Sequence, residues 1–309
     1  MNTLGQAVQE YLTVRRDLGF KLQEAGKGLR DFVRFMEQHR APYVTHLLAL
    51  AWAQQATTAQ ARAQRLSFVR GFARYRSATD PRTQIPPVGL LPYRPKRARP
   101  YLYADEEIGR LLSAALTLSK GAGLRPWTYY CLFGLLSVSG LRISEATHLT
   151  LDDVDLNTAV LTVRGAKGGQ SRLVPLHSST RHILADYLAR REHVWAQRPV
   201  SSYVFVSNRG HRLDGAEIRR TFYALSRQIG LRGPHESHGP RLHDFRHRFA
   251  TQTLLQWYRA GDDAERRLPI LSAYLGHVHV RDTFWYFSQQ PELMQEAMGR
   301  LERRWEEQP

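Results

Sequence analysis

Four side chains between residues 243 and 286 have types and spacing that suit chemistry on a phosphodiester. His243 and Arg246 are three residues apart in a run with helical spacing of apolar residues, so both leave the same helical face. His277 follows, and Tyr286 lies nine residues beyond it. A guanidinium binds two non-bridging phosphate oxygens at once, imidazoles donate hydrogen bonds and move protons, and a phenol is a nucleophile. Together these groups predict attack on a phosphodiester.

Two upstream motifs extend this set. Gly140–Glu145 reads Gly-Leu-Arg-Ile-Ser-Glu and places an arginine three residues before a carboxylate. Gly165–Leu176 reads GAKGGQSRLVPL, a glycine-rich turn that leads into an alternating strand pattern. In order and spacing the four motifs resemble those of the tyrosine recombinase family, also called phage integrases, and the resemblance spans residues 142–286.

The resemblance implies that three cationic side chains act on the phosphate and on the leaving group. Arg142 and Arg246 form the clamp on the non-bridging oxygens, where negative charge builds up during the attack. Lys167 is the general acid that protonates the departing 5′ oxygen, because an alkoxide is a poor leaving group. For each of these side chains taken alone, an ordinary ion pair or a solvated turn is the alternative.

The resemblance also implies the nucleophile and its neighbours. Tyr286 forms a 3′-phosphotyrosyl link and frees a 5′ hydroxyl. His243 and His277 hydrogen-bond the phosphate and assist proton transfer from the phenol, although the family also accepts Trp at the second position. Glu145 supports the site by orienting His243, with an ordinary helix carboxylate as the alternative. Three aromatic residues are expected to anchor the helix that carries the nucleophile: Phe284, Trp285 and Phe287.

Strand exchange of this kind needs no cofactor, neither metal nor ATP, because the phosphotyrosine conserves the energy of the broken bond. The implied partner is double-stranded DNA with specific recombination sites. Copies of the chain, or related recombinases, are expected to assemble on it as a dimer per site and a tetramer in synapsis. Within the family the chain looks most like the site-specific recombinases of transposons and integrative elements.

Two other activities stay open. A type IB topoisomerase has similar Arg-Lys-Arg-His-Tyr chemistry but relaxes DNA as a monomer, and the small helical first domain and the terminal helix argue against it. A DNA-binding regulator that does not cut is the other alternative. The presence of Tyr286 together with both arginines argues against that reading.

The composition favours a polyanionic partner. There are 44 Lys and Arg against 28 Asp and Glu, for a net charge of +16. An anionic membrane is the competing partner, but no apolar run approaches the roughly 20 residues that span a bilayer. The single cysteine, Cys131, excludes an intrachain disulfide, and its apolar neighbours predict a buried core residue. We therefore expect a protein of the prokaryotic cytoplasm, associated with the nucleoid.

A cluster of histidines raises the possibility of a metal site: His235, His238, His243 and His247. His235 and His238 have the spacing of a ligand pair, but glycines and prolines surround them and predict a loop. No cysteine accompanies them, and no carboxylate set suits Mg²⁺. The expectation is therefore that no metal is bound.

The first 95 residues predict a helical domain that binds DNA. Apolar residues recur with helical period over 4–19, 27–39, 45–52 and 58–76. Up to Pro95 there are 14 basic and 6 acidic residues, which favours phosphate contacts over a merely solvated face. The candidate contacts on the fourth helix are Arg62, Arg65, Arg70, Arg74 and Arg76.

Residues 81–100 hold six prolines and predict a stiff, basic linker. This segment is either a disordered tether or a linker that follows the DNA backbone. If it follows the backbone, its candidate contacts are Arg94, Lys96, Arg97 and Arg99. We place the domain boundary here, so that 1–95 is an all-α DNA-clamp domain and 96–309 is the catalytic domain.

The second domain is predicted to be mainly helical with one small antiparallel sheet. Its predicted helices cover 105–118, 126–138, 178–196, 214–229 and 291–301, and a further helix opens at Arg142. Two strands, 160–163 and 172–176, flank the glycine-rich turn, and 202–207 is extended.

Overall fold

The chain forms two compact units, Met1–Ala98 and Arg99–Pro309, in a computed structural model. The structure describes residues 3–93, 99–119, 123–165, 171–236, 238–289 and 291–306. Each unit has a hydrophobic core of its own. The predicted boundary at residues 95 and 96 and the separate roles of the two parts stay predictions.

The described part of unit 1 contains four helices, and each of them was predicted. They are α1 (Leu4–Asp17), α2 (Gln23–Gln38), α3 (His46–Gln54) and α4 (Ala59–Arg76). Threonine side chains cap three of them at the amino end, where backbone N–H groups lack intrahelical partners: Thr3, Thr45 and Thr58. Leu66, Val69 and Phe72 of α4 face inward and are buried, as predicted.

Several of the α4 arginines also hold unit 1 together. Arg62 donates to the carbonyl of Ala56 and Arg65 to that of Trp52. Arg70 donates through Nε and Nη2 to the carbonyls of Pro86 and Pro87, which fixes the proline-rich segment against α4. The described α4 therefore presents fewer unengaged guanidinium groups than its sequence suggests, and its DNA contacts stay a prediction.

Unit 2 is mainly helical, as predicted. Its helices are α5 (Asp105–Leu116), α6 (Arg125–Ser139), α7 (Ile143–His148), α8 (Ser178–Trp195), α9 (Gly215–Gln228), α10 (Leu242–Arg259), α11 (Ala264–Leu275) and α12 (Pro291–Glu306). Helix α11 was not predicted, because Pro269 and three charged residues obscure its apolar pattern.

One antiparallel sheet accompanies these helices. It has the order β1-β2-β3, formed by Val154–Asp155, Val160–Val163 and Arg172–Pro175. The two predicted strands pair, with Val163 opposite Arg172 at the end of the ladder. Strand β1 has only two residues, too few for a period-2 pattern, and was missed. The predicted fold class is confirmed.

Helix α6 lies at the centre of unit 2 and packs against α5, α8 and α10. It is apolar around most of its circumference, so it is buried on several sides, and Cys131 lies in the core as predicted. The helix ends at Gly140, whose φ of +60° is the left-handed conformation that favours glycine. The turn at Gly140 precedes Arg142, the amino-terminal cap of α7, whose side chain reaches the carboxyl end of α11.

In the described residues, no helix is both long and apolar enough to cross a membrane.

Candidate active site

The carboxyl end of α11 brings the two predicted clamp arginines together. Leu275 accepts from Arg142 Nη1 at 3.4 Å and from Arg246 Nη2 at 2.6 Å. Arg142 Nη2 also donates to the carbonyl of Gly276 at 3.1 Å. The last carbonyls of a helix lack intrahelical partners and lie at the negative end of its dipole, so they attract cations. Two residues 104 positions apart in sequence thus share one carbonyl acceptor.

Arg246 is almost entirely enclosed, with 2% of its surface exposed. Its Nη1 donates to the carbonyl of Gly140 at 2.9 Å, which ties α10 to the joint between α6 and α7. Burial lowers the pKa of Arg246 to about 10, so the guanidinium is still charged at neutral pH. Arg142, at the amino-terminal cap of α7, is the more accessible of the two.

Glu145 lies between two arginines and does not orient His243. Its carboxylate accepts from Arg142 Nη1 at 2.6 Å and from Arg172 Nη2 at 2.7 Å. No hydrogen bond joins it to His243 among the residues that the structure describes. Burial alone would raise the pKa of Glu145, but the bonds from Arg172 and from the Arg142 backbone outweigh it and lower that pKa. The described contacts of Glu145 are thus with the arginines, and its supporting role stays a prediction.

Imidazole rings surround the predicted nucleophile. The ring of His277 stacks on that of Tyr286 with 6.0 Å between centroids. His247 contacts Tyr286 edge to face at 5.3 Å and contacts His243 at 5.0 Å. His277 Nδ1 lies 2.8 Å from Thr283 Oγ1, which fixes the ring orientation. The two predicted histidines therefore flank Tyr286, one of them through His247.

Burial keeps these imidazoles neutral. It lowers the pKa of His247 and of His277 to about 4, with further contributions from His243 for the first and from Arg246 for the second. Burial, followed by the charge of Arg246, also lowers the pKa of His243. A neutral imidazole can accept a proton, which a protonated ring cannot. The surroundings of the phenol thus contain proton acceptors at neutral pH.

Tyr286 itself is buried, with 5% of its surface exposed. It lies in a short 3₁₀ helix, Phe284–Gln289, and not in an α-helix. Trp285 and Phe287 pack against the neighbouring core as predicted. Phe284 is 55% exposed, so the prediction that it anchors this segment is wrong.

Some predicted site residues lie outside the described residues. Lys167 is one of them, so its role rests on the sequence resemblance alone. Arg94, Lys96 and Arg97 of the linker are others, whereas Arg99 is described and exposed. In the ranges that the structure covers, no group of three or more His, Cys, Asp or Glu side chains could hold a metal ion.

Three residues near the site were not predicted as members: Arg172, His247 and Thr283. His247 follows the His-x-x-Arg motif directly, and its position one residue after Arg246 was the only available signal. Arg172 lies inside the Gly165–Leu176 motif, but its pairing with Glu145, 27 residues away, leaves no local signal. Thr283 lies six residues after His277, and nothing in its residue type indicates that contact.

Comparison with known proteins gives one family. The sequence profile of the "Phage integrase family" matches residues 102–292. A protein of Sinorhizobium fredii named as an integrase/recombinase, y4rB, is 64% identical over 312 aligned residues that cover 99% of each chain. The tyrosine recombinase XerC of Pseudomonas syringae is 30% identical over 234 residues, 75% of this chain and 71% of that one.

Solved structures share the fold. The integrase of the transposon Tn1549, in complex with transposon right-end DNA, aligns with a TM-score of 0.66 at 18% identity over 96% of this chain and 98% of that one. The XerH site-specific recombinase bound to palindromic difH substrate aligns with a TM-score of 0.63 at 18% identity, over 90% and 78%.

Proposed function

Because this chain belongs to the phage integrase family of tyrosine recombinases, enzymes that cleave and rejoin DNA strands, we propose that Tyr286 is its nucleophile. The phenol oxygen attacks a phosphodiester, a 3′-phosphotyrosyl bond forms, and the 5′ oxygen leaves. Attack by a 5′ hydroxyl of another strand then reverses the step and releases Tyr286.

The observation that carries this proposal is the meeting of Arg142 and Arg246 at the end of α11, beside the Tyr286 segment. Both guanidinium groups are held by backbone carbonyls, Leu275 and Gly140 among them, so they are fixed before substrate arrives. Fixed donors stabilise the charge that develops on the non-bridging oxygens without reorganisation at the moment of reaction. Removal of one such donor typically costs about 10²–10³ in rate.

Proton transfers complete the step. The neutral imidazoles that flank the phenol, His277 and His247, can accept its proton as the oxygen attacks. Lys167 then supplies the proton that the leaving 5′ oxygen needs, a role proposed from the motif that contains it. No metal ion is needed for either transfer.

The site must open before this reaction. Arg246 and Tyr286 are 2% and 5% exposed, so a phosphate cannot reach both of them in this arrangement. We propose that DNA binding moves the 3₁₀ segment Phe284–Gln289, which is short and partly exposed. Such a movement would couple cleavage to the presence of the correct substrate.

We further propose that the substrate is double-stranded DNA at specific sites and that the reaction moves a mobile element. The net charge of +16 supports a polyanionic partner. The name of the Sinorhizobium relative and the transposon integrase with the same fold support the second part.

Helix α12 is a candidate for contact between copies on the DNA. Its Leu293 is fully buried in its own unit, and Arg300 donates to the carbonyl of Gly261, so the start and middle of the helix pack in cis. An apolar stripe on it is exposed: Met294, Met298, Leu301 and Trp305. The spacing of four, three and four residues places these side chains on one helical face.

The test is a covalent trap. Nicked duplex DNA drawn from the sequences that flank the gene loses its 5′ product after cleavage, so the phosphotyrosyl adduct accumulates and is seen as a shifted band on a denaturing gel. Tyr286→Phe is expected to bind this DNA as the wild type does and to form no adduct. Tyr258→Phe is the matched control, since its ring contacts Phe287 of the same segment. An adduct at wild-type level in Tyr286→Phe would remove Tyr286 from the nucleophile role.

A second substrate separates recombination from topoisomerase activity. A plasmid with two sites is expected to yield recombinant products. Relaxed plasmid without recombinants would point to the type IB topoisomerase activity instead.

A further inference from the structure

Arg172 has every nitrogen of its guanidinium engaged at the candidate site, although nothing in the proposed reaction assigns it a role. It opens strand β3 and has a side chain that is 10% exposed. Nη1 donates to Glu145 Oε1 at 3.1 Å and Nη2 to Oε2 at 2.7 Å, so the pair is bidentate. Nε donates to the carbonyl of Tyr274 at 2.6 Å.

These contacts join three separate segments. The last three carbonyls at the end of α11 accept from three arginines: Tyr274 from Arg172, Leu275 from Arg142 and Arg246, and Gly276 from Arg142. Arg172 also lies against the backbone that precedes His277. A Cβ on Gly276 would lie 2.8 Å from Arg172 Nη1, and the φ of this residue is +67°. The strand, α7 and the end of α11 therefore meet at one guanidinium.

The charge balance explains what Arg172 does there. Glu145 Oε1 accepts from both Arg142 Nη1 and Arg172 Nη1, so one carboxylate is shared by two guanidinium groups. A single negative charge cannot neutralise both cations. Arg142 thus keeps positive charge for an incoming phosphate. Its position is fixed by the Glu145 carboxylate, which Arg172 holds in turn. Without Arg172, Glu145 would pair with Arg142 alone.

We propose that Arg172 is a positioning residue of strand cleavage, which acts through Glu145 on Arg142 and through Tyr274 on the segment that holds His277. This inference rests on the proposed function. It predicts a defect in transition-state stabilisation at the non-bridging oxygens, with DNA binding little changed.

The experiment measures single-turnover adduct formation on the nicked duplex. It compares variants of Arg172, which opens β3, with a variant of Arg164, which follows β2. Arg172→Gln is expected to slow cleavage by about 10- to 100-fold, the range found when the outer partners of metal ligands are lost. Arg172→Lys keeps the charge but loses the bidentate geometry, so it should recover part of the rate. Arg164→Gln is the control, because Arg164 follows β2 and pairs with Asp153, to which the proposed reaction gives no role. It should cleave at the wild-type rate.

A second substrate locates the defect. Sulfur in place of the bridging 5′ oxygen makes a leaving group that needs little protonation. Lys167→Ala should regain most of its rate on this substrate, whereas Arg142→Ala and Arg172→Gln should stay slow on both. If the cleavage rate of Arg172→Gln recovers on the sulfur substrate, Arg172 acts through the leaving group and the proposal is wrong. Wild-type cleavage by Arg172→Gln would also contradict it.

A double variant guards against misfolding. Glu145→Gln with Arg172→Gln removes both members of the buried ion pair, so neither Glu145 nor Arg172 is left as an unpaired charge. Because Arg172 acts on Arg142 through Glu145, Arg172→Gln should cost less rate in the Glu145→Gln background than in the wild type. An equal loss in both backgrounds would contradict that route.

Wild type and Tyr286→Phe in the same series test the proposed function by itself. An adduct in the first and none in the second supports that function whatever Arg172 does. A wild-type chain that forms no adduct overturns both proposals together.

Discussion

At the scale of single residues, the neutral histidines around Tyr286 make stability depend on pH. The pKa of His247 is about 4 in the folded chain against an ordinary value of 6.5. Between these two values the unfolded chain binds more protons than the folded one, so stability falls as pH falls. The contribution is fully present above pH 6.5, and from pH 7 to pH 5 His247 should account for a loss of about 2 kcal/mol.

His247→Phe removes this titration and keeps an aromatic ring in the site. We expect the free energy of unfolding to fall less between pH 7 and pH 5 in this variant than in the wild type. Urea unfolding at both pH values measures the difference. His182→Gln, at an exposed position of α8, controls for the loss of one imidazole. An equal fall in the variant and the wild type would mean that His247 is solvated and charged near pH 5.

The site residues themselves could be identified from local sequence, but their partners could not. Arg142 and Arg246 belong to short motifs, so a resemblance points to them directly. Arg246 donates to the carbonyl of Gly140, 106 residues away in sequence. Glu145 pairs with Arg172, 27 residues away. Such contacts leave no periodicity in the sequence, and for this reason Glu145 was assigned to His243.

At the scale of elements, helices with a clear apolar period were predictable and short or irregular elements were not. The four helices of unit 1 follow from apolar spacing, and three of them begin at a threonine cap. Strand β1 has two residues, and the Tyr286 segment is a 3₁₀ helix that a period of 3.6 does not describe. Helix α11 contains a proline, which ordinarily argues against a helix interior.

The joint between α6 and α7 is the element on which the clamp depends most. Gly140 has a φ of +60°, and a Cβ there would lie 2.6 Å from Phe249 Cδ1. Gly140→Ala should therefore destabilise the chain by about 2–4 kcal/mol, from the left-handed backbone and the crowding together. Its carbonyl also holds Arg246, so cleavage should slow as well.

Gly134→Ala in the middle of α6 is the matched control. Its Cβ would meet Leu112 at 3.9 Å, an ordinary contact, and alanine is the better helix former by about 1 kcal/mol. Thermal unfolding of both variants measures the contrast. If Gly140→Ala is as stable as Gly134→Ala, the left-handed joint is not required.

At the scale of the whole molecule, we expect the two units to have separate roles, with DNA cleavage in unit 2 and DNA contact in unit 1. Unit 2 contains the proposed chemistry, and unit 1 has a core of its own and an excess of basic residues. Burial within each unit was foreseeable from the sequence. Which arginines remain available to DNA was not, since Arg62, Arg65 and Arg70 turn out to donate to carbonyls of their own unit.

Residues 1–98 made alone should fold and bind duplex DNA, with an affinity that falls steeply as salt rises. Arg74 is exposed on α4 and forms no ion pair within residues 3–93, so it is the strongest candidate for a phosphate contact. Each phosphate contact adds about 0.9 to the slope of log affinity against log salt. Arg74→Gln should therefore lower that slope by about 0.9 and weaken binding to all sequences alike.

Lys27→Gln removes a charge that Glu24 already offsets at 3.2 Å and should leave the slope unchanged. Fluorescence anisotropy over a salt series measures both, and a fragment that fails to bind at low salt would show that unit 1 is not a DNA-binding module.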